Sequence, residues 1–247
     1  MSNPETDAMW ASLVPFAIDP HRLKANKIIT AGRDDPAYTA FDVLRTRILQ
    51  PLKENGWKRV AITSPTPDCG KTFTAVNLAI TLSRYDGFRT VLMDLDMRNS
   101  SLHRVLGVRD PGSMGNYLRG MTATEAHFRV PGKNDLHIGA NLAVAMNGKR
   151  EEFASELMRD PLTEEILEAM EDDLEPDLVL FDLPPVLMND DVIAFRPQFD
   201  AVLVVAGGGA TRASELKLVE RHLGPDKPIL GVVLNKADGS TLHNSYY

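Results

Sequence analysis

Cysteine is nearly absent from this chain of 247 residues, in which Cys69 is the only one. A single thiol excludes an intrachain disulfide framework and a cysteine-based zinc cluster. Long hydrophobic runs are missing too: no apolar stretch approaches the roughly 18–20 residues needed to span a bilayer. The opening MSNPETDAMW lacks a signal-peptide pattern. Positive charge is not in surplus either, and a net charge of −7 argues against an intrinsic role in coating DNA or RNA. Neither an internal repeat nor a linker divides the chain. The expectation from these absences is a soluble, cytoplasmic protein with no direct membrane span and no nucleic-acid partner. Hydrophobic residues at 43% and charged residues at 25% lie in the ordinary globular range.

What is present centres on Arg59 to Ala79, RVAITSPTPDCGKTFTAVNLA. A short apolar strand, residues 60–62, runs into a turn-rich loop from Ser64 to Gly70. Lys71 and Thr72 then open a helix with apolar residues at Phe73, Val76, Ala79 and Ile80. Strand, loop and helix in that order suit a phosphate-binding P-loop. Loop amides and the helix N-terminus converge on one hollow that favours negative charge. Lys71 would present a point charge to the outer phosphates, and the Thr72 hydroxyl a ligand for Mg²⁺. The pattern G-x-x-x-x-G-K-[ST] is incomplete, because Pro65 stands at its first glycine. A Ser/Pro/Gly turn before an ordinary helix is the plainer alternative.

The remainder reads as alternating strands and helices. Residues 37–55 carry one apolar stripe, Phe41, Leu44, Ile48 and Leu52, which predicts a helix that Pro51 kinks or ends early. A second strand, 90–94, is apolar on both faces, as a buried parallel strand is. It ends in Asp94-Leu95-Asp96, at the edge where open α/β sheets bind ligands. Segments within 112–160 predict a short helix, a strand and a further helix, and 162–170 is helical again. Another buried strand, 178–181, ends at Asp182 before Pro184-Pro185, the look of a Walker B strand whose carboxylate holds Mg²⁺. Residues 201–206 are a strand, 214–223 an amphipathic helix, and 229–234 a last strand ending in Asn235-Lys236. Asn235 is placed to read a purine ring, and is equally a frequent turn residue. This alternation predicts an α/β fold with one doubly wound, mostly parallel sheet of the P-loop NTPase type. Three segments are expected: an N-terminal arm at 1–35, packed on its own domain or docking a partner; the P-loop domain at 36–238; and a mobile tail at 239–247.

On these residues the chain resembles the bacterial tyrosine kinases (BY-kinases) of capsule and exopolysaccharide synthesis, from about Asp35 to Asp238. The family's loop S-x-T-P-x-x-G-K-[ST] reads here as Ser64, Thr66, Pro67, Gly70, Lys71 and Thr72. Its D-x-D-x-R motif reads as Asp94, Asp96 and Arg98, with Leu102-His103 after it. Its D-x-P-P motif reads as Asp182, Pro184 and Pro185, and its C-terminal tyrosine cluster as Tyr246-Tyr247. The resemblance implies ATP and Mg²⁺ as cofactors. Nucleotide-binding residues would be Pro67, Asp68, Cys69, Gly70, Lys71, Thr72, Phe73 and Asn235. Thr72, Asp94 and Asp182 would serve the metal. Catalysis would rest on Lys71, Asp94, Asp96 and Asp182, with Asp94 near the attacking hydroxyl and Asp96 supporting it. The phosphoacceptors would be Tyr246 and Tyr247 of a neighbouring copy in a homo-oligomer. Activation would come from the cytosolic segment of a membrane polysaccharide co-polymerase or adaptor, recruiting the chain to the inner face of the membrane as the family's separate cytosolic form.

Two of the three ring-forming positions, Thr39 and Asp42, and the loop position Asp68 depart from the family. Its ring-forming E-x-x-R-x-x-R reads Thr39, Asp42 and Arg45. Asp68 replaces a frequent glycine and brings a carboxylate near the phosphates. Cys69 is a tolerated variable residue or, beside a helix N-terminus, a redox-sensitive thiol. Two other readings stay open: a non-catalytic nucleotide-binding regulator, and a partitioning-type positioning ATPase. The latter usually carries a lysine where this loop has Thr66.

Overall fold

The structure, a computed structural model, describes residues 3–31, 35 and 37–237. Strand β1 (Val14–Phe16) lies at one edge of the sheet, and β2 (Arg59–Thr63) leads into the candidate P-loop. Strands β3 (Thr90–Asp94), β4 (Phe128–Pro131) and β5 (Leu142–Ala145) follow, then β6 (Leu178–Asp182), β7 (Ala201–Gly207) and β8 (Ile229–Asn235). They form one sheet ordered β1-β4-β5-β3-β6-β2-β7-β8. Every pairing is parallel except that of β4 with β5. The fold is therefore a mostly parallel α/β sheet, as the alternation predicts.

Side chains of successive strand residues enter opposite cores. Val60 and Ile62 belong to one and Ala61 to the other, and Leu180 and Phe181 divide likewise. Burial on both faces explains why these strands are apolar throughout. One face is covered by α1 (Pro4–Ser12), α6 (Met114–Leu118), α8 (Ala154–Arg159), α9 (Pro161–Leu174), α10 (Asp191–Ala194) and α11 (Ala213–Leu223). The other carries α2 (Pro20–Ala25), α3 (Tyr38–Asn55), α4 (Lys71–Leu82) and α5 (Leu102–Leu106). The short α7 (Thr124–His127) leads directly into β4.

Two expectations need correction. Helix α3 is not ended by Pro51 but runs to Asn55, where Gly56 closes it at φ +69°. Ile48 and Leu52 are buried on either side of the proline, so tertiary packing outweighs the lost hydrogen bond there. Within 112–160 the structure forms α6, α7, β4, β5 and α8, one helix and one strand more than expected. The N-terminal segment packs on its own domain, one of the two readings of the arm: β1 joins the sheet edge beside β4, with Trp10 and Leu13 in one core and Phe16 and Leu23 in the other. Tyr246 and Tyr247 lie outside the described residues.

Candidate functional site

The parallel order places the C-terminal ends of β2, β3 and β6 side by side, with β3 and β2 flanking β6. Asp94 of β3 and Asp182 of β6 are direct register partners. The P-loop leaves β2 between them and β8. Its odd residues are explained by backbone geometry. Pro65 is not among the positive-φ residues, so this loop has no left-handed position for the missing first glycine to fill. Asp68 is left-handed at φ +61°, which accounts for the family's glycine there, and its side chain is exposed. Gly70 has φ +96°, and a Cβ on it would lie 2.0 Å from Asn235 Nδ2. The D-x-P-P segment runs beside the loop: Thr63 Oγ1 donates to Pro184 O at 2.6 Å, and Val186 N to Ser64 O at 2.8 Å.

The chemistry gathers around the start of α4. Lys71 Nζ lies 2.6 Å from Asp96 Oδ2 and 3.8 Å from Asp182 Oδ1. Thr72 Oγ1 donates to Asp182 Oδ2 at 2.6 Å, and Ser101 Oγ donates to Thr72 Oγ1 at 3.1 Å. Asp94 is fully buried, its Oδ2 accepting the Leu102 N–H at 3.1 Å. Burial and the facing Asp182 hold the Asp94 carboxyl well above the ordinary range. Burial also raises Asp182, against the opposing pull of Lys71 and Thr72. Burial alone would lower the Lys71 ammonium, but the carboxylates of Asp182 and Asp96 outweigh it and raise it.

Among the described residues, Asp94 Oδ1 and Asp182 Oδ1 are buried oxygens with no hydrogen-bond partner, Asp182 Oδ1 having only the Lys71 ammonium 3.8 Å away. Such orphans are costly unless a cation completes them. With the Thr72 hydroxyl they make an all-oxygen donor set suited to Mg²⁺, which retains waters and takes substrate phosphate oxygens. Among the described residues no group of three His, Cys, Asp or Glu side chains is arranged to hold a metal unaided.

Phe73 and Asn235 border a hollow of about 330 Å³ between α3 and β8, where Phe41 meets Phe73 edge to face. Asn235 donates its amide N–H to Cys69 O at 2.9 Å, so in this state it braces the loop. Cys69 is buried, its Sγ 3.5 Å from Thr211 Oγ1. Burial pushes this thiol up, and hydrogen bonds from Thr211 and Thr66 outweigh it, leaving it below its ordinary value.

Sequence reasoning missed Ser101 and the partner of Arg98. The Arg98 guanidinium meets the buried Asp191 with Nε–Oδ2 at 2.9 Å and Nη2–Oδ1 at 3.0 Å, tying the loop after β3 to α10. The run Asn189-Asp190-Asp191 after the two prolines was the available signal. Arg45 donates to Thr81 O at 3.3 Å and pairs with Asp42 at 3.3 Å, so it is engaged within its own chain.

The family model for the CobQ/CobB/MinD/ParA nucleotide binding domain matches residues 60–247. The putative tyrosine-protein kinase EpsB of Ralstonia nicotianae is 30% identical over 217 residues, 86% of this chain. The chain spans only 27% of that relative's length. The tyrosine-protein kinase CpsD of Streptococcus pneumoniae is 31% identical over 200 residues, covering 80% of this chain and 83% of CpsD. The kinase domain of Escherichia coli tyrosine kinase ETK superposes with a TM-score of 0.76 at 26% identity, covering 89% of this chain and 84% of that one. The Pyrococcus furiosus cell division ATPase MinD, at 23% identity and a TM-score of 0.57 over 72% of this chain and 71% of its own, shares the fold. By the family model and these relatives, the chain belongs to the bacterial tyrosine kinase family within the CobQ/CobB/MinD/ParA nucleotide-binding group.

Proposed function

We propose that the chain is an ATP-dependent protein-tyrosine kinase that phosphorylates Tyr246 and Tyr247 of a neighbouring copy and thereby regulates exopolysaccharide or capsule synthesis and export. The observation that carries this reading is the convergence of Lys71, Thr72, Asp94, Asp96 and Asp182 at one sheet edge, in a chain related to named tyrosine kinases. Lys71 would exchange part of its contact with Asp96 for the outer phosphates of ATP. Thr72 and Asp182 would hold Mg²⁺, which supplies charge neutralisation across the phosphate oxygens when bound. The acceptor tyrosine oxygen bonds to the γ-phosphorus as its bond to the bridging oxygen breaks, and ADP leaves. Asp94 would receive the phenolic proton or, as one of the residues that would hold the metal, orient the hydroxyl. Asp96 keeps Lys71 aligned. The apolar hollow beside Phe73 and Asn235 has the size and lining to take the purine. Transfer of this kind depends on positioning and charge, which this set supplies in kind.

Recruitment to the inner face of the membrane would come from the cytosolic segment of a polysaccharide co-polymerase or adaptor. No helix among the described residues is long and apolar enough to cross a membrane. Thr66, where partitioning ATPases usually carry a lysine, favours the kinase over a positioning ATPase.

The test is peptide mass spectrometry after incubation with Mg-ATP, comparing wild type with Lys71→Met, each with and without a candidate partner's cytosolic segment. Phosphate on Tyr246 or Tyr247 that disappears in Lys71→Met is the expected result. ATP binding without tail phosphate would favour the non-catalytic regulator, and rapid phosphate release without it the positioning ATPase.

A further inference from the structure

The end of β8 reaches the P-loop with two consecutive residues. Asn235 Nδ2 donates to Cys69 O at 2.9 Å, and Lys236 Nζ donates to Asp68 O at 2.6 Å. Two neighbouring loop carbonyls are thus drawn toward the same strand end. A trans peptide is planar, so the N–H of each unit points opposite to its carbonyl. The unit containing Asp68 O carries the Cys69 N–H, and the unit containing Cys69 O carries the Gly70 N–H. Drawing both carbonyls toward β8 turns both N–H groups to the loop's other side. Among the described residues neither has a protein acceptor. Two backbone facts show that the arrangement is built in. Lys236 itself is left-handed, at φ +58°, and so is Asp68, at φ +61°; both are unusual for residues with a side chain. A Cβ on Gly70, itself at φ +96°, would lie 2.0 Å from Asn235 Nδ2 and push that side chain off the loop. Asn235 is anchored in turn, its carbonyl accepting the Gly208 N–H at 2.6 Å.

We infer that the end of β8 is a clamp on the P-loop, in which Lys236 and Asn235 hold the carbonyls of Asp68 and Cys69 and so aim the Cys69 and Gly70 N–H groups at nucleotide phosphates. Lys236 is here a positioning residue: it contacts the loop and acts on the phosphates through it. The inference rests on the nucleotide-binding reading of the loop and adds a specificity to it. The Lys236 half of the clamp should govern affinity for the β-phosphate and leave recognition of the nucleoside alone.

The experiment is calorimetric titration of wild type, Lys236→Met, Lys236→Arg and Lys71→Met with ADP, AMP and adenosine, with thermal melting of each protein. Lys236→Met should weaken ADP binding roughly fivefold, the worth of about one net hydrogen bond. Its affinity for adenosine and its melting temperature should stay unchanged, and Lys236→Arg should recover most of the loss. An equal loss for ADP and adenosine would overturn the clamp, because Lys236 would then contact the nucleoside. Unchanged ADP affinity in Lys236→Met, or a loss matched by a fall in melting temperature, would overturn it also. If wild type and Lys71→Met bound ADP equally weakly, the P-loop assignment itself would fall. That result is distinct from the others.

Discussion

At the scale of single residues, the site stores unfavourable charge that ligands would relieve. Asp94 and Asp182 are buried side by side, each with an oxygen that accepts no hydrogen bond among the described residues. Both carboxyls are pushed above their ordinary range. A buried acid with a raised folded value binds more protons folded than unfolded, so stability falls as pH rises from the ordinary carboxylate range through the raised one. Asp94→Asn removes that charge and can offer an N–H to Asp182. We expect the ligand-free variant to gain about 1 kcal/mol, with more gained at pH 8 than at pH 5. Phosphate transfer should drop by about 100-fold while nucleotide affinity is nearly kept. Parallel losses of affinity and transfer would rule out a role for Asp94 beside the acceptor hydroxyl. The identities of Lys71, Thr72, Asp94 and Asp182 were legible in the sequence, because GKT and a strand ending in Asp are local signals. Their pairings were not: that Lys71 sits on Asp96, and that Asp191 grips Arg98, depends on strand order.

At the scale of elements, α7 and β4 form a junction that the sequence left indistinct. His127 closes α7, stacks on Tyr117 with ring centroids 4.9 Å apart, and is buried. Burial, aided by Arg129, lowers its pKa to about 4. For a histidine kept neutral in the fold, stability is whole above its unfolded value near 6.5 and is lost as pH falls toward 4. Urea unfolding between pH 7.5 and 4.5 should therefore show a loss of roughly 2 kcal/mol attributable to this ring. His127→Gln should flatten that slope even if it lowers stability overall. An unaltered slope would show that other groups carry the acid sensitivity. Helix α3 teaches a related lesson. Its apolar stripe announced it, but its path through Pro51 and the engagement of Arg45 with Thr81 O come from packing against α4.

At the scale of the whole molecule, a single eight-stranded sheet has two unlike edges. β8, at one, reaches the P-loop. β1, at the other, is tied in through the N-terminal helix. Trp10 of α1 donates its indole N–H to Leu174 O at 2.8 Å, and the Arg89 guanidinium lies over its ring. Arg89 is also paired with Asp7. If this segment is part of the common core, Trp10→Ala should cost about 3 kcal/mol and lower the melting temperature by roughly 6–12 °C. A shift below about 2 °C would mean that it packs as a dispensable arm.

The sequence by itself determined the fold class, the P-loop and the two aspartate-ended strands. Each is written in a short window: a periodicity, a glycine–lysine–threonine step, an apolar run stopped by an acid. Only the tertiary structure decided which side chains meet. β1 is three residues long and β4 four, so neither carries enough alternation to be recognised alone, and both exist because a sheet edge was there to pair with. The same holds for the contacts of Lys236 with Asp68, across 168 positions, and of Thr72 with Asp182, across 110. Contacts so distant along the chain depend on strand order, which no local pattern encodes.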